Sequence, residues 1–355
     1  MEPIRIGVIG AGFIGRVHME KFGSIEGARV VGCTDMSAEL ATKAAQQFGL
    51  ERVFASAEEL IASPDLDAVI VAVPNKAHAP LTVSALEAEK HVLVEKPMAL
   101  NATAAREIVD AAKKSGRIVM VAHQMRWLPQ PLEAKRMADA GELGEVYSAK
   151  CGMMRRKNIP GWGSWFTRMD ESGGGPLIDI GVHVLDMAMW LLGDPKPVSV
   201  FGSTYAKFGP DRRGLGSWGT PQWDGHFDVE DLATAMIKMD NGSTLTLDVS
   251  WAVNTLSDNS HFVDLMGTEG GVSIRGKRLV FTTQKFDRPV DVEANPTQAI
   301  DDRTLLSRHF IDCVRSGDRP ISDAVSGLVN NTILDAIYES ARTGRAVELD
   351  WSFLG

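Results

Sequence analysis

The chain has 355 residues, 44% of them hydrophobic and 23% charged, which is ordinary for a globular protein with two domains. Its 37 Lys and Arg against 46 Asp and Glu give a net charge of −9, which argues against nucleic-acid partners. No apolar run is long enough to span a membrane, and nothing before a first strand at Ile4 resembles a signal peptide. Cys33, Cys151 and Cys313 are too far apart for a disulfide framework or a Cys-x-x-Cys site. We therefore expect a cytoplasmic protein with no membrane partner.

The first predicted strand leads directly into a glycine-rich turn. Residues Ile4–Ile9 form this strand, Gly10-Ala11-Gly12-Phe13-Ile14-Gly15 follow it, and a helix then runs to about Phe22. In this context the motif supplies a tight turn, room for a pyrophosphate against the backbone, and a helix N-terminus facing negative charge. The predicted cofactor-binding residues here are Gly10, Gly12, Phe13, Ile14 and Gly15. The alternative is a merely tight turn.

A second strand, Ala28–Thr34, ends at an acidic residue. Asp35 lies where a carboxylate accepts hydrogen bonds from the adenosine ribose hydroxyls of a dinucleotide. Met36 and Ser37 beside it offer no arginine for a 2′-phosphate, so we predict NAD, preferred over NADP, with Asp35 and Met36 at the ribose. Alternatively, Asp35 only caps the helix that begins near Ser37.

The first half then continues as alternating strands and helices, at 68–73, 79–88, His91–Val94, Ala102–Ser115 and 118–122, with a capping box opening at Ser56. This pattern predicts a Rossmann dinucleotide-binding domain with a parallel sheet over residues 1–123. Two strand ends carry polar turns, and ligands bind at such ends. The residues that we predict to bind the cofactor there are Pro74, Asn75, His78, Glu95 and Lys96. Either segment is alternatively an ordinary turn.

In residues 124–355 strands follow one another without intervening helices. After a helix at Pro129–Asp139, strands are predicted at Val146–Met154, 198–205, Leu232–Met239, 244–253, 262–266 and 279–283, and helices at 304–315 and 324–342. Asp240-Asn241-Gly242 predicts a hairpin turn. We expect an α+β domain for substrate binding and oligomerisation, with a mainly antiparallel open sheet.

Asp179, His183, Asp186 and Trp190 interrupt an otherwise apolar helix. Their spacing of four, three and four residues places them on one helix face. A buried polar group costs free energy unless it is bonded, so these side chains serve either a reaction or a satisfied structural Asp–His pair.

Three further features of this half have more than one interpretation. The Gly-, Pro- and Trp-rich segment 206–228 is a lid, a contact surface or a disordered loop. The aromatic segment 161–166, just before the apolar helix, offers faces for a sugar ring or a nicotinamide, or belongs equally to the core or an interface. The positive cluster Arg155–Lys157 is interpreted as a solvated strand end rather than an anion site.

Five motifs in the same order make the chain similar to the Gfo/Idh/MocA family of oxidoreductases, which includes glucose–fructose oxidoreductase and inositol dehydrogenases. They are G-A-G-F-I-G with His18 after it, V-P-N-K-A-H at 73–78, E-K-P at 95–97, G-G-G-P-L-I-D-I-G-V-H at 173–183 and S-A-R-T-G-R-A-V at 340–347. The resemblance implies that Lys96 and His183 are catalytic, that Asp179 supports them and that the peptide before Pro97 is cis. It also implies substrate contacts for Trp165 and Arg126. A homodimer or homotetramer paired through the open sheet is implied as well.

The predicted function is NAD-dependent oxidation of a secondary hydroxyl of a sugar, sugar derivative or cyclitol to a ketone. His183 acts as the acid–base group and Lys96 holds the reacting oxygen. Asp179 and His183 also contact the substrate, and no metal is predicted. The alternatives are an NAD-dependent glycosidase with a transient keto intermediate, and a non-catalytic sugar or nucleotide sensor.

Overall fold

A computed structural model describes residues 2–256 and 259–352. The chain forms two compact units, each described here by itself. Unit 1 comprises Met1–Gln124 and Ile300–Asn331, and unit 2 comprises Met125–Ala299 and Thr332–Gly355. The sequence grouped 300–331 with the second domain, whereas the structure packs these residues in unit 1.

The strands, in chain order, are β1 (Ile4–Ile9), β2 (Ala28–Thr34), β3 (Arg52–Val53), β4 (Ala68–Val71), β5 (His91–Val94), β6 (Val119–Val121), β7 (Val146–Met154), β8 (Pro197–Tyr205), β9 (Leu232–Met239), β10 (Thr244–Ser250), β11 (His261–Gly267), β12 (Gly270–Arg275), β13 (Arg278–Lys285), β14 (Arg288–Ala294) and β15 (Val347–Glu348). The α-helices are α1 (Phe13–Gly23), α2 (Ala38–Phe48), α3 (Ala57–Ala62), α4 (His78–Glu87), α5 (Ala102–Ser115), α6 (Pro129–Asp139), α7 (Met169–Ser172), α8 (Val182–Leu191), α9 (Asp302–Ser316) and α10 (Ala324–Thr343).

Unit 1 contains a six-stranded parallel sheet in the order β3-β2-β1-β4-β5-β6. The chain runs outward from β1 in both directions, so the carboxyl ends of β1 and β4 flank the point where the strand order reverses. Ligands bind at this point in open α/β sheets. The central strands are buried on both faces, as their continuous apolar sequences indicate. The predicted Rossmann fold is confirmed.

Several helices of unit 1 begin at side-chain caps. Ser37, Ser56 and Asn101 each accept the N–H of the residue three positions later, at the start of α2, α3 and α5. At Ser56 this confirms the predicted start, since its hydroxyl accepts the Glu59 N–H. Helix α9 packs its Phe310 ring edge-on against Phe22 of α1 at 6.1 Å, which explains why it belongs to unit 1.

Unit 2 contains a nine-stranded sheet in the order β14-β13-β12-β11-β7-β10-β9-β8-β15. All neighbours are antiparallel except β7 and β10, so the predicted mainly antiparallel sheet is confirmed. The turn between β9 and β10 contains Gly242 at φ 87°, as the predicted hairpin requires. Helix α8, buried at every residue, packs against β7 and β11 on one face of this sheet.

Among the residues that the structure describes, no helix combines the length and apolar character needed to cross a membrane.

Candidate active site

The glycine-rich turn between β1 and α1 has the shape that a dinucleotide needs. Gly10 has φ 101°, and a Cβ there would overlap the Ala72 carbonyl oxygen. A Cβ on Gly15 would overlap the carbonyl oxygen of Gly10, so this glycine lets the helix approach the turn. No atom lies within 4 Å of the position that a Cβ on Gly12 would take, which leaves the backbone open. The turn therefore fits a pyrophosphate against the N-terminus of α1.

Asp35 connects the end of β2 to this turn. Its Oδ2 accepts the Ala11 N–H at 2.8 Å, and its Oδ1 accepts the Ser37 N–H at 2.8 Å. The cap of α2 is the Ser37 hydroxyl, so Asp35 is not the side chain that caps this helix. Each carboxylate oxygen keeps a second lone pair, which suits it to ribose hydroxyls. Met36 beside it is fully exposed.

The other predicted cofactor residues lie around the same end of the sheet. Phe13 is 63% exposed at the first position of α1, and Ile14 beside it is half-buried. Pro74 precedes a 3-10 turn, Asn75–Ala77, at the carboxyl end of β4, in which Asn75 is buried. These placements leave the cofactor contacts of Phe13, Ile14, Pro74 and Asn75 as predictions.

His78, one of the predicted cofactor residues, lies between two backbone carbonyls. Its ring is 1% exposed, and its two nitrogens lie 2.7 Å from the Pro97 carbonyl oxygen and 2.8 Å from that of Val73. Burial lowers the pKa of His78, and the two carbonyl contacts oppose that shift. Both nitrogens face protein carbonyls, and the cofactor contact of His78 stays a prediction. His78 ties together the turns that follow β4 and β5.

Lys96 lies in the turn after β5, and its peptide bond to Pro97 is cis, as the family resemblance implies. Glu95 before it is buried, with Oε1 2.8 Å from Nε2 of His18 and Oε2 accepting the Lys96 N–H at 3.2 Å. Burial alone raises the pKa of Glu95, but His18 and the charges of Arg303 and Lys96 outweigh it and lower the pKa to about 2. Glu95 is therefore ionised at neutral pH.

In unit 2, Asp179 and His183 lie on a helix of mixed geometry. Residues Leu177–Gly181 form a π-helix, and α8 begins directly after it. The predicted placement of Asp179, His183, Asp186 and Trp190 on one α-helical face is wrong for Asp179, because a π-turn has a wider hydrogen-bonding period than an α-helix. Such turns are frequent at functional sites. Asp179 is half-buried and accepts a hydrogen bond from the Trp251 indole at 3.0 Å. His183 is buried in the first turn of α8.

A buried carboxylate holds the start of this helix. Glu230 accepts the N–H groups of Gly175 and Leu177 and the Tyr338 hydroxyl, each at 3.0 Å. A Cβ on Gly174, at φ 156°, would overlap that hydroxyl, so the glycines before Pro176 let Glu230 and Tyr338 approach the backbone. Burial raises the pKa of Glu230, although its backbone and hydroxyl donors act in the opposite direction. These contacts fix where the Asp179 segment begins.

Arg126 and Asp186 form a buried ion pair. The Arg126 Nε and Nη2 atoms lie 2.7 and 2.6 Å from the two Asp186 oxygens, and the side chains are 1% and 0% exposed. The guanidinium also lies 5.7 Å from the Trp190 ring centroid. Its bidentate partner is therefore a core carboxylate, and the substrate contact of Arg126 stays a prediction. Asp186 and Trp190, two of the four residues predicted on one helix face, therefore both contact the Arg126 guanidinium.

The segment 206–228, whose role was open, packs on the aromatic segment before α7. The Trp162 indole donates to the Gly209 carbonyl at 2.8 Å and stacks on Trp223 at 6.0 Å. One oxygen of buried Asp231 accepts three consecutive N–H groups, from residues 207 to 209, which fixes the start of the segment. Trp165 is half-buried, with its ring centroid 3.7 Å from that of Phe166. Its substrate contact stays a prediction.

No local sequence pattern marks the side chains that hold Asp179 and the backbone before it. Trp251 is fully buried at the end of β10 and Glu230 follows an irregular segment, so both contacts depend on long-range folding. Arg155 directly follows β7 and is half-buried, unlike exposed Arg156 and Lys157. Burial lowers the pKa of Arg155, and the nearby Asp179 charge raises it. Only the last two residues of this cluster fit the predicted solvated strand end.

The structure and the glycine-rich turn define a dinucleotide-dependent oxidoreductase fold. Residues 4–123 match the family model described as "Oxidoreductase family, NAD-binding Rossmann fold", and residues 132–273 match the GFO/IDH/MocA C-terminal domain. The chain belongs to the Gfo/Idh/MocA family. It is an oxidoreductase that acts on CH–OH groups and binds NAD through its Rossmann domain.

Named relatives match nearly the whole chain. D-glucoside 3-dehydrogenase of Escherichia coli (strain K12) is 32% identical over 351 residues, which are 98% of each chain. The NAD(+)-dependent scyllo-inositol 2-dehydrogenase of Bacillus subtilis (strain 168) is 28% identical over 98% of this chain and 97% of its own. A solved levoglucosan dehydrogenase in complex with NADH and L-sorbose is similar with a TM-score of 0.88 at 25% identity, covering 99% of this chain and 100% of that one.

Proposed function

We propose that this protein oxidises a secondary hydroxyl of a sugar, sugar derivative or cyclitol to a ketone, using NAD. The observation that carries the proposal is His183, an imidazole in the first turn of a helix that is otherwise almost wholly apolar, one turn after a carboxylate held by an indole. A buried imidazole costs free energy unless it is bonded, and taking the proton of a substrate hydroxyl is chemistry that an imidazole at this position can carry out. The dehydrogenases among the relatives support this reading.

Each proposed role follows from the chemistry of the side chain. His183 removes the hydroxyl proton as the carbon is oxidised, and Lys96 donates a hydrogen bond to the same oxygen and stabilises its developing charge. Asp179, oriented by Trp251, orients the imidazole or holds a neighbouring hydroxyl. Bound NAD supplies the acceptor for the hydride that leaves the carbon. The Gly10–Gly15 turn and Asp35 hold its pyrophosphate and ribose.

A screen for NAD reduction tests the proposal. Methyl D-glucosides, levoglucosan, scyllo-inositol and free hexoses are each incubated with the protein and NAD, and NADH is followed by its absorbance. We expect at least one compound to give saturable NADH formation. NAD binding without reduction by any of them would contradict the proposal, and release of methanol from a glucoside without net NADH would favour the glycosidase alternative.

The preference for NAD is predicted to depend on Asp35. A carboxylate about 4 Å from one phosphate charge costs up to ~4 kcal/mol at an effective dielectric of 20, and half of that is a factor of about thirty in affinity. We expect kcat/KM with NAD to exceed that with NADP by at least about tenfold, and Asp35→Ser with Met36→Arg to narrow or reverse the gap. The matched control, Met36→Arg alone, keeps the Asp35 carboxylate. It should reduce the ratio of kcat/KM with NAD to that with NADP by a smaller factor. Equal use of both cofactors by the unchanged protein would contradict the role of Asp35.

We also propose a homodimer or homotetramer that pairs the open face of the unit 2 sheet. Phe201 of β8 and Met236 of β9 are register partners and are 51% and 54% exposed, and Tyr147 and Tyr205 are exposed as well. Light scattering at micromolar protein should give a dimer or tetramer, and Phe201→Asp with Met236→Asp should lower the mass. A monomer in the unchanged protein would contradict this proposal.

A further inference from the structure

Two buried histidines of unit 1 hold the turn that carries Lys96, one on each side of it. His18 contacts the residue before the lysine, and His78 contacts the residue after it. The two rings are 3% and 1% exposed. Neither has a catalytic role in the proposed reaction, and both come from helices that follow other strands. The two histidines therefore contact the same turn from two different helices.

The His18 side joins the turn to the nucleotide-binding helix. His18 belongs to α1, whose N-terminus follows the glycine-rich turn, and it bonds Oε1 of ionised Glu95. The other Glu95 oxygen accepts the Lys96 N–H itself. The backbone of the lysine is therefore linked through one carboxylate to the helix that faces the cofactor phosphates.

The His78 side joins the turn to the strand end next to it. His78 opens α4, and its ring bridges the carbonyl oxygens of Val73 and Pro97. The chain beyond is fixed as well, since Met98 and Ala99 are buried and the Asn331 side-chain amide donates to the Ala99 carbonyl at 2.8 Å. An irregular segment lacks the hydrogen bonds of a strand, so side chains must supply them.

We propose that His18 and His78 are positioning residues for the Lys96 ammonium, which rests on the proposed role of Lys96. They fix the backbone on both sides of a side chain that must meet the reacting oxygen. A misplacement of about 1 Å at a catalytic group can lower the rate by about a hundredfold, so a loosened turn is costly even where NAD still binds.

The test compares His18→Leu and His78→Leu with His91→Leu. His91 is a matched control because it lies at the other end of β5, where its Nδ1 accepts the Ile118 N–H at 3.1 Å. The measured quantities are kcat and KM for the fastest substrate of the screen, the NADH dissociation constant from fluorescence, and the primary deuterium isotope effect on kcat. Lys96→Met is measured alongside.

We expect kcat to fall by about ten- to a hundredfold in the two test variants, with the NADH dissociation constant changed by less than about threefold. The isotope effect should rise, because hydride transfer becomes slower than other steps, and His18→Gln and His78→Gln should recover part of kcat by restoring a donor. If His18→Leu does not fold, Glu95→Gln takes its place because it alters the carboxylate that His18 contacts, and if His78→Leu does not fold, His78→Phe takes its place. A kcat loss no larger than that of His91→Leu overturns the inference. Wild-type turnover in Lys96→Met overturns the proposed function instead.

Discussion

Lys96→Met and His183→Ala should each lower turnover by about a hundred- to ten-thousand-fold, which is the usual contribution of a positioned acid–base group. Folding and NAD binding should change little, because the glycine-rich turn and Asp35 hold the dinucleotide. Steady-state NADH formation and an NADH fluorescence titration measure the two effects. Lys43→Met serves as the control, since Lys43 is an exposed residue that pairs with Glu39 on α2.

The two variants should also differ in their pH dependence. Hydroxide replaces a missing base at high pH, so the loss in His183→Ala should be partly relieved there. A missing ammonium is not replaced by hydroxide, so Lys96→Met should show no such recovery. Wild-type turnover in either variant, or the same recovery in both, would contradict the assigned roles.

Asp186→Ala should destabilise the protein by about 3–5 kcal/mol, because it leaves the Arg126 guanidinium buried without its carboxylate. Urea unfolding of the folded variant measures the loss. Asp264→Ala is the matched control, since Asp264 pairs with Arg275 at 2.7 Å but Arg275 is 46% exposed, and such surface pairs contribute up to about 1 kcal/mol.

Removing both charges should cost much less than removing one. Arg126→Met with Asp186→Leu replaces the buried pair by apolar side chains of similar size, which is often neutral or stabilising. Equal stability losses in Asp186→Ala and Asp264→Ala would show that the guanidinium finds other partners or water. Such a result would also favour the predicted substrate contact of Arg126.

Local sequence patterns account for most of the fold. The buried strands of unit 1 are continuous apolar runs, so β1, β2 and β5 have the predicted ends. Three strands of unit 2 were missed, namely β12, β14 and the two-residue β15, and the first two have a physical reason. Strand β12 begins with two glycines, which disfavour strands. Edge strand β14 contains Pro289 and exposed charged residues, a composition that is typical of a loop.

Site residues were predictable where the signal is local and not where it depends on folding. The glycine-rich turn, Asp35 and the E-K-P turn are contiguous motifs, whereas Arg126 and Asp186 are 60 residues apart and Trp251 and Asp179 are 72 apart. Helical spacing also assumes a constant period, which the π-helix at Leu177–Gly181 breaks. Local patterns therefore located these polar side chains, but the partners of Arg126 and His78, a distant carboxylate and two backbone carbonyls, were not predictable from them.

The most direct test of the account follows the hydrogen on the carbon that is oxidised. A substrate from the screen, carrying deuterium at that carbon, is incubated with the protein and NAD, and the NADH is analysed by mass spectrometry. We predict that the NADH carries one deuterium and that the reaction is slower than with the unlabelled substrate. Formation of the ketone with unlabelled NADH would contradict direct hydride transfer and with it the proposed function.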